Sequence, residues 1–250
     1  MRRLLKIVIL VSGLLITQSS GAEMPSEDYA AIIAFASDFS GNDSAIMEQV
    51  RQMAANPPTD QETIGFYSTE DYPARHRLFL ATVNLLDTAK KLSSVEDKYS
   101  YEIFSIWQDD GVINLGKLPP AAKAVFGPLI DGNEPQGGIE PYHALVWEKY
   151  AQATEELERY IADHGKVLLS IDATDGDTMF FALVTPDIAS RWRDKALSAH
   201  NGYYAGIRSP MWDRFWAHLN YATRGMIANE DRKGVPPGTR HSAGTIPLVQ

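Results

Sequence analysis

The sequence predicts an α+β fold in which helices pack on a small sheet with a central antiparallel hairpin. Residues 142–164 repeat apolar side chains at the spacing of a helix with one buried face. Two short apolar segments, 166–172 and 177–184, flank Asp175-Gly176, a pair typical of a two-residue hairpin turn. Both faces of the second segment are apolar, so we expect that strand to be central and covered on both sides.

The N-terminal region, residues 23–126, is predicted to be mainly helical. Helical spacing of apolar residues places helices near 29–36, 46–53, 74–92 and 120–126. Residues 95–115 fit a helix and a hairpin about equally well, because a helix start near Ser94 is followed by alternating apolar residues and a turn at Asp110-Gly111. We favour the helix slightly.

The region 142–228 reads as α-β-β-α-α. Its last two helices begin at Thr185-Pro186 and Ser209-Pro210, where a capping hydroxyl precedes a proline of the first turn. The first of them is expected to extend to about Ser198. Residues 127–141 hold four Gly and three Pro and are predicted to be a loop or linker, while residues 229–250 are predicted to be a mobile tail or an arm laid over the surface.

Residues 1–22 have the features of a cleaved secretory signal peptide. A basic start precedes an apolar segment of about ten residues, half the length of a membrane-spanning helix, and small residues end at Ala22. The chain has no cysteine, which excludes disulfides, thiolate metal sites and the lipid-bearing cysteine of a lipoprotein. We therefore expect a periplasmic or secreted protein with no stable membrane anchor after cleavage.

The acidic composition bears on the partners of the chain. The formal net charge is −9, and losing Arg2, Arg3 and Lys6 with the signal peptide would take it to −12. An acidic protein repels phosphate backbones, so nucleic acid is not expected as a partner. A basic protein is the partner that this charge favours.

Three aspartates crowd the predicted hairpin turn. Asp172, Asp175 and Asp177 are oxygen ligands of the kind that calcium takes, but their spacing does not fit the EF-hand loop. Asp and Gly are also what a tight turn requires, and we favour this structural interpretation. No metal or other cofactor is therefore predicted.

Aromatic residues 203–221 divide into two groups. Trp212, Phe215 and Trp216 share one helical face, which favours burial against the sheet. Tyr203 and Tyr204 fall with Arg208 in a predicted loop, 201–209. Loop aromatics next to a cation are candidates for contacts with a partner or a sugar, so these three are the predicted binding residues.

The chain has no nucleophile elbow, nucleotide-binding loop, zinc-binding His-Glu-x-x-His helix or dinucleotide glycine pattern. Paired carboxylates, as used in glycoside cleavage, would first be sought where acidic residues flank predicted loops. These residues are Glu102, Asp109, Asp110 and Glu140. Their spacing does not separate them from ordinary surface charges, so no catalytic residue is assigned.

The C-terminal third resembles an uncharacterised bacterial domain family. The resemblance rests on residues 170–172 and 181–184, the helix with Trp192, and the segment Met211-Trp212-Asp213-Arg214-Phe215-Trp216. It implies no catalytic residues.

From sequence, then, the favoured function is a non-enzymatic binding protein of the periplasm, for example an immunity or inhibitor protein. The alternatives are a cell-envelope hydrolase with paired carboxylates and a sugar-binding module.

Overall fold

A five-stranded antiparallel sheet with helices on both faces makes up the structure, as the α+β prediction required. The computed structural model describes residues 29–65, 72–96, 102–109, 111, 113–131, 138–173, 178–223, 234–242 and 244–249. The predicted signal peptide, together with Asp175 and Asp177, lies outside the described residues.

Nine α-helices and five strands lie within these ranges. The helices are α1 (Ala30–Ser40), α2 (Ser44–Ala55), α3 (Gln61–Ile64), α4 (Ala74–Thr88), α5 (Glu102–Asp109), α6 (Pro120–Asp131), α7 (Ile139–Asp163), α8 (Pro186–Trp192) and α9 (Trp212–Thr223). The strands are β1 (Ser93–Glu96), β2 (Val167–Asp172), β3 (Thr178–Val184), β4 (Lys195–His200) and β5 (Tyr203–Arg208).

The predicted central hairpin is confirmed. Strands β2 and β3 pair antiparallel with Leu169 opposite Ala182, and β2 is the middle strand of the order β1-β3-β2-β5-β4. Apolar residues of β2 alternate between the two faces, so the sheet separates two hydrophobic cores. One core lies under α1, α2, α4 and α8, and the other lies under α5, α6, α7 and α9.

The aromatic face predicted for the last helix is buried as expected. Trp212, Phe215 and Trp216 are each at most 1 % exposed and belong to the core under α7. The indole of Trp212 lies perpendicular to the ring of Phe215, with centroids 5.9 Å apart. This edge-to-face geometry is one that aromatic rings prefer, and the same two rings pack on Phe104 of α5 and Phe126 of α6, which holds α9 in this core.

A second hairpin replaces the long helix and loop predicted for residues 186–209, so both of those predictions are wrong. Helix α8 ends at Trp192, and Asp194 takes a left-handed backbone with φ of 57°. Asn201 and Gly202 both have positive φ, 47° and 80°, which is the geometry of a tight turn between twisted strands. The Asn-Gly pair is a strong hairpin signal that outweighs the helical spacing before it.

Strand β4 is irregular near its start. A bulge interrupts its pairing with β5 between Ala196 and Ser198. The opposite residue is Gly206, where a Cβ atom would lie only 2.6 Å from the Cα of Ala196. The bulge therefore depends on Gly206, because only glycine lets the two backbones approach this closely.

The segment 95–115 contains the helix that the sequence slightly favoured, and its described residues form no hairpin around Gly111. Strand β1 pairs with β3 through Val95 and Met179, and helix α5 follows.

Residues 127–141 differ from the predicted loop, because α6 continues through Pro128 to Asp131 and α7 begins at Ile139. The Gly127-Pro128 pair disfavours a helix, because proline removes a backbone hydrogen bond. Burial of Val125 and Phe126 beside α7 offsets this cost.

Within the described ranges, no helix has both the length and the apolar character needed to cross a membrane.

Candidate functional site

The candidate site lies where the end of the chain meets the outer strand of the sheet. We call residues 234–249, without residue 243, the arm. The arm begins where the Trp216 indole donates to the Gly234 carbonyl at 2.6 Å. It continues past α9, where the Ser242 amide donates to the Asp213 carboxylate at 2.7 Å. These described parts of the predicted tail therefore lie over the surface.

The arm ends on β4, the last strand of the sheet order. The Ala196 amide donates to the Pro247 carbonyl at 2.9 Å, and the Val249 amide donates to the Ala196 carbonyl at 2.8 Å. Leu248 and Ala196 form an isolated parallel bridge. Ile246 is 3 % exposed, whereas Leu248 is 41 % exposed. The arm thus covers the edge of β4 with a short pairing anchored by one buried side chain.

Arg75 of α4 supports this pairing from the helical side. Its Nε donates to the Leu197 carbonyl at 2.7 Å, and its terminal nitrogen donates to the Val249 carbonyl. Leu197 lies at the β4 bulge, so the guanidinium bridges the bulge and the arm. We call the outer edge of β4 at Ala196 and Leu197, together with Arg75, the edge groove.

A buried charge cluster lies two strands away. Asp172 ends β2, and its carboxylate accepts from Arg208 Nε at 2.6 Å, from Arg214 at 3.2 Å and from the Tyr203 hydroxyl. Asp172 and Arg208 are only 5 % and 7 % exposed. Charges taken out of water in this way are tolerated only when paired and hydrogen-bonded, and this cluster meets both conditions.

Arg208 connects the charge cluster to the arm. A second nitrogen of its guanidinium donates to the Gly244 carbonyl at 2.8 Å, and a third donates to the Tyr204 carbonyl at 3.2 Å. One residue therefore binds β2, β5 and the arm. This planar fork of donors is the feature that distinguishes arginine from lysine.

The three predicted binding residues are not in the loop where the sequence placed them. All of them lie on β5, where Tyr203 and Arg208 contact Asp172 and Tyr204 is half-buried opposite Ala199. Burial raises the pKa of Tyr203 well above its usual value, and the nearby Asp172 charge raises it further. The signal that sequence reasoning missed was the Asn201-Gly202 turn, which makes 203–208 a strand.

The predicted acidic turn contributes one described residue. Both carboxylate oxygens of Asp172 accept from arginine side chains. Within the described ranges, no three His, Asp or Glu side chains converge as a cation site. Of the carboxylate candidates, Glu102 and Asp109 bound α5 and Glu140 is in the first turn of α7, while Asp110 lies outside the described residues.

A serine–histidine pair lies beside the edge groove. His76 Nδ1 and Ser198 Oγ are 2.9 Å apart, and the two residues are 2 % and 0 % exposed. The rings of Tyr72 and His200 both pack around His76, with centroids 4.8 and 5.7 Å away. Enclosed in this way, the serine hydroxyl ties β4 to α4 rather than facing a substrate.

The raised pKa of Tyr203 predicts an alkaline effect. In the unfolded chain Tyr203 ionises near pH 10, whereas in the folded protein its raised pKa keeps it protonated at that pH. The contribution of Tyr203 to stability is therefore complete below pH 10 and is lost progressively as the pH rises above 10. We expect Tyr203→Phe to cost about 1.5–3 kcal/mol at pH 8, because a hydrogen bond to a charged group is lost. Above pH 10 the difference from the wild type should shrink by about 1.4 kcal/mol per pH unit.

Urea unfolding at pH 8 and at pH 11 measures this difference. Tyr204→Phe, on the same strand, is the control at pH 8, where we expect a change within about 0.5 kcal/mol. A stability difference for Tyr203→Phe that stays constant from pH 8 to pH 11 would contradict the assignment.

Comparison of the chain with protein-family models, with curated proteins and with solved structures gives no match. The resemblance of the C-terminal third to a bacterial domain family therefore stays a prediction.

Proposed function

We propose that this chain is an exported, non-enzymatic binding protein that holds a protein partner, of which an immunity or inhibitor protein is one version. The observation that carries the proposal is the edge groove, where two backbone hydrogen bonds at Ala196 attach a segment to β4. Sheet edges accept an extended segment of another chain, with backbone hydrogen bonds supplying affinity and side-chain contacts supplying specificity.

The short pairing of the arm supports this use of the edge. Strand β4 has six residues, but among the described residues its bridge to the arm is a single one, Ala196 to Leu248. Proteins commonly cover an exposed edge strand with a loop, because a bare edge pairs with any available strand. A cover that is held this lightly protects the edge and still leaves it open to a partner with more contacts.

The charge of the chain supports a basic partner. At −9, or −12 without residues 1–22, the protein attracts positively charged surfaces over a distance of about a Debye length. Such attraction speeds association and excludes acidic competitors. An inhibitor that neutralises a basic effector would use charge in this way.

Export is the remaining part of the proposal and depends on residues 1–22. If they are a signal peptide, the intact mass of the protein recovered from the periplasm or medium should correspond to a chain that begins at Glu23. Recovery of a full-length chain in the cytoplasm would contradict export while leaving the binding function open.

Site-specific crosslinking in the exporting cell tests the binding function. A photoreactive residue at position 195, the first residue of β4, should give one adduct of defined mass. The same photoreactive residue placed at position 155, on the exposed side of α7, is the matched control and should give no adduct. The purified partner should then form a stoichiometric complex.

Two results would contradict the binding function. One is the absence of an adduct at both positions. The other is turnover of peptidoglycan, or binding of glycans, by the purified chain alone, which would favour the hydrolase or the sugar-binding module.

A further inference from the structure

The edge groove is already occupied by a peptide segment, and that segment shows what the groove accepts. We infer that the edge groove recognises an extended segment of the partner that resembles residues 246–249, and that the arm occupies the groove until the partner displaces it. This inference rests on the proposed binding function and names the site and the chemistry of its ligand.

The arm defines the side chains that the ligand needs. Ile246 is buried, and Val249 packs partly buried against the core on the α4 side of the sheet. Between them, Pro247 and Leu248 are exposed. The segment therefore presents two branched apolar residues three positions apart, which we expect a ligand to repeat, and the residues between them can vary and can include a proline.

The arm also defines the backbone contacts of the ligand. The carbonyl at the Pro247 position accepts from Ala196, and the amide at the Val249 position donates to Ala196. The carbonyl at the Val249 position accepts from Arg75. A ligand must therefore carry a free amide at its second apolar residue, so proline is excluded there although it is accepted two positions earlier.

The segment 246–249 can leave the groove without release of the rest of the arm. Gly244 is held by Arg208 at 2.8 Å, and Ser242 is held by Asp213 at 2.7 Å. Arg240 forms an ion pair with Glu158 on α7. These contacts lie outside the edge groove, so they fix a pivot from which the last described residues can swing away.

A partner, rather than a second copy of the chain, is the occupant that this arrangement favours. A tethered segment has an effective concentration of about millimolar at its own site. The identical arm of another copy, present at micromolar concentration, cannot compete with it. A partner that repeats the Ile–Val pattern and adds contacts outside the groove can displace the arm.

Binding of a labelled, end-capped peptide, Gly-Thr-Ile-Pro-Leu-Val, to the full-length chain tests this inference. This is the sequence of residues 244–249. In Ile246→Asp the arm should leave the groove while β4 and Arg75 are unchanged. We expect this variant to bind the peptide with 1:1 stoichiometry and at least tenfold more tightly than the wild type. Ile246→Val, which keeps an apolar anchor, is the matched control and should behave as the wild type does.

Two altered peptides test the recognition without touching the protein. Methylation of the amide nitrogen at the Val249 position removes the bond to the Ala196 carbonyl, and Asp in place of Ile removes the anchor. Each change should weaken binding at least tenfold. If both bind as well as the parent peptide, the peptide is adhering to exposed apolar surface and the inference is overturned.

A second variant guards against misfolding of Ile246→Asp. Val249→Pro removes the arm amide that donates to Ala196 and introduces no charge. It should also bind the peptide more tightly than the wild type, with an unchanged near-ultraviolet circular dichroism spectrum. If neither folded variant binds more tightly than the wild type, the groove is not a recognition site. A crosslinked partner at position 195 would then still leave the proposed function standing.

A dimer of the wild-type chain would overturn the choice of occupant. If the chain dimerises at micromolar concentration, and Ile246→Asp abolishes the dimer, then the groove takes the arm of a second copy. We expect a monomer by light scattering across this concentration range.

Discussion

Replacing Asp172 by Asn is expected to lower the free energy of unfolding by about 3–5 kcal/mol, because it leaves the buried charge of Arg208 without its partner. Asp172 is 5 % exposed, and its carboxylate accepts from Arg208 at 2.6 Å and from Arg214 at 3.2 Å. Asparagine keeps the shape but lacks the charge, and its amide nitrogen cannot accept from a guanidinium. Urea unfolding at pH 7 measures the loss.

Two comparisons show whether the loss comes from the buried charge. Glu148→Gln neutralises an acid whose ion pair with Lys149 is largely exposed, and should change stability by less than about 0.5 kcal/mol. Asp172→Asn combined with Arg208→Met should be less destabilised than the sum of the two single changes, since both buried charges are then absent. Strict additivity would mean that the two residues do not interact.

Replacing Gly206 by Ala is expected to cost about 3 kcal/mol or more, because the added methyl group would meet backbone rather than a movable side chain. Its Cβ would lie 2.6 Å from the Cα of Ala196 and 3.0 Å from the Leu197 nitrogen. The backbone would have to separate at the bulge, which is also where Arg75 and the arm attach. The variant should therefore lose both stability and the closed edge groove.

Gly244→Ala is the matched control for this change. Gly244 lies in the arm, and a Cβ atom added to it would meet no atom within 4 Å apart from its chain neighbours. The substitution also leaves the Gly244 carbonyl available to Arg208. Its stability should stay within about 0.5 kcal/mol of the wild type. Equal thermal midpoints for Gly206→Ala and the wild type would show that β4 and β5 are not packed this closely.

The long periodic elements could be predicted from the sequence, and the irregular ones could not. Helix α7 and the β2–β3 hairpin follow directly from apolar spacing and from a turn pair. Strand β4 was missed because Ala196, Leu197 and Ala199 continue the composition of a helix. The turn between α8 and β4, where Asp194 has a left-handed backbone, has no sequence signal as strong as Asn201-Gly202.

The candidate site was predictable only in part. The sequence singled out Asp172 as part of an acidic turn and Tyr203 and Arg208 as binding residues, and the structure brings all three together. Their contact depends on the pairing of β2 with β5, with Asp172 opposite Gly206, which spacing along the chain does not reveal. Arg75 was missed for the same reason, since it lies on an N-terminal helix and binds residues 122 and 174 positions away.

Recognition of a partner at the edge groove requires that the arm leaves β4 while the rest of the fold stays intact. Native-state hydrogen exchange tests this directly at the Ala196 amide, whose described partner is the Pro247 carbonyl of the arm. The Ala196 amide should exchange through an opening at least about 2 kcal/mol below that of Ile171 in central β2, with little dependence on denaturant. Exchange of both amides with the same free energy and the same denaturant slope would contradict the claim, because the arm would then separate from β4 only when the whole protein unfolds.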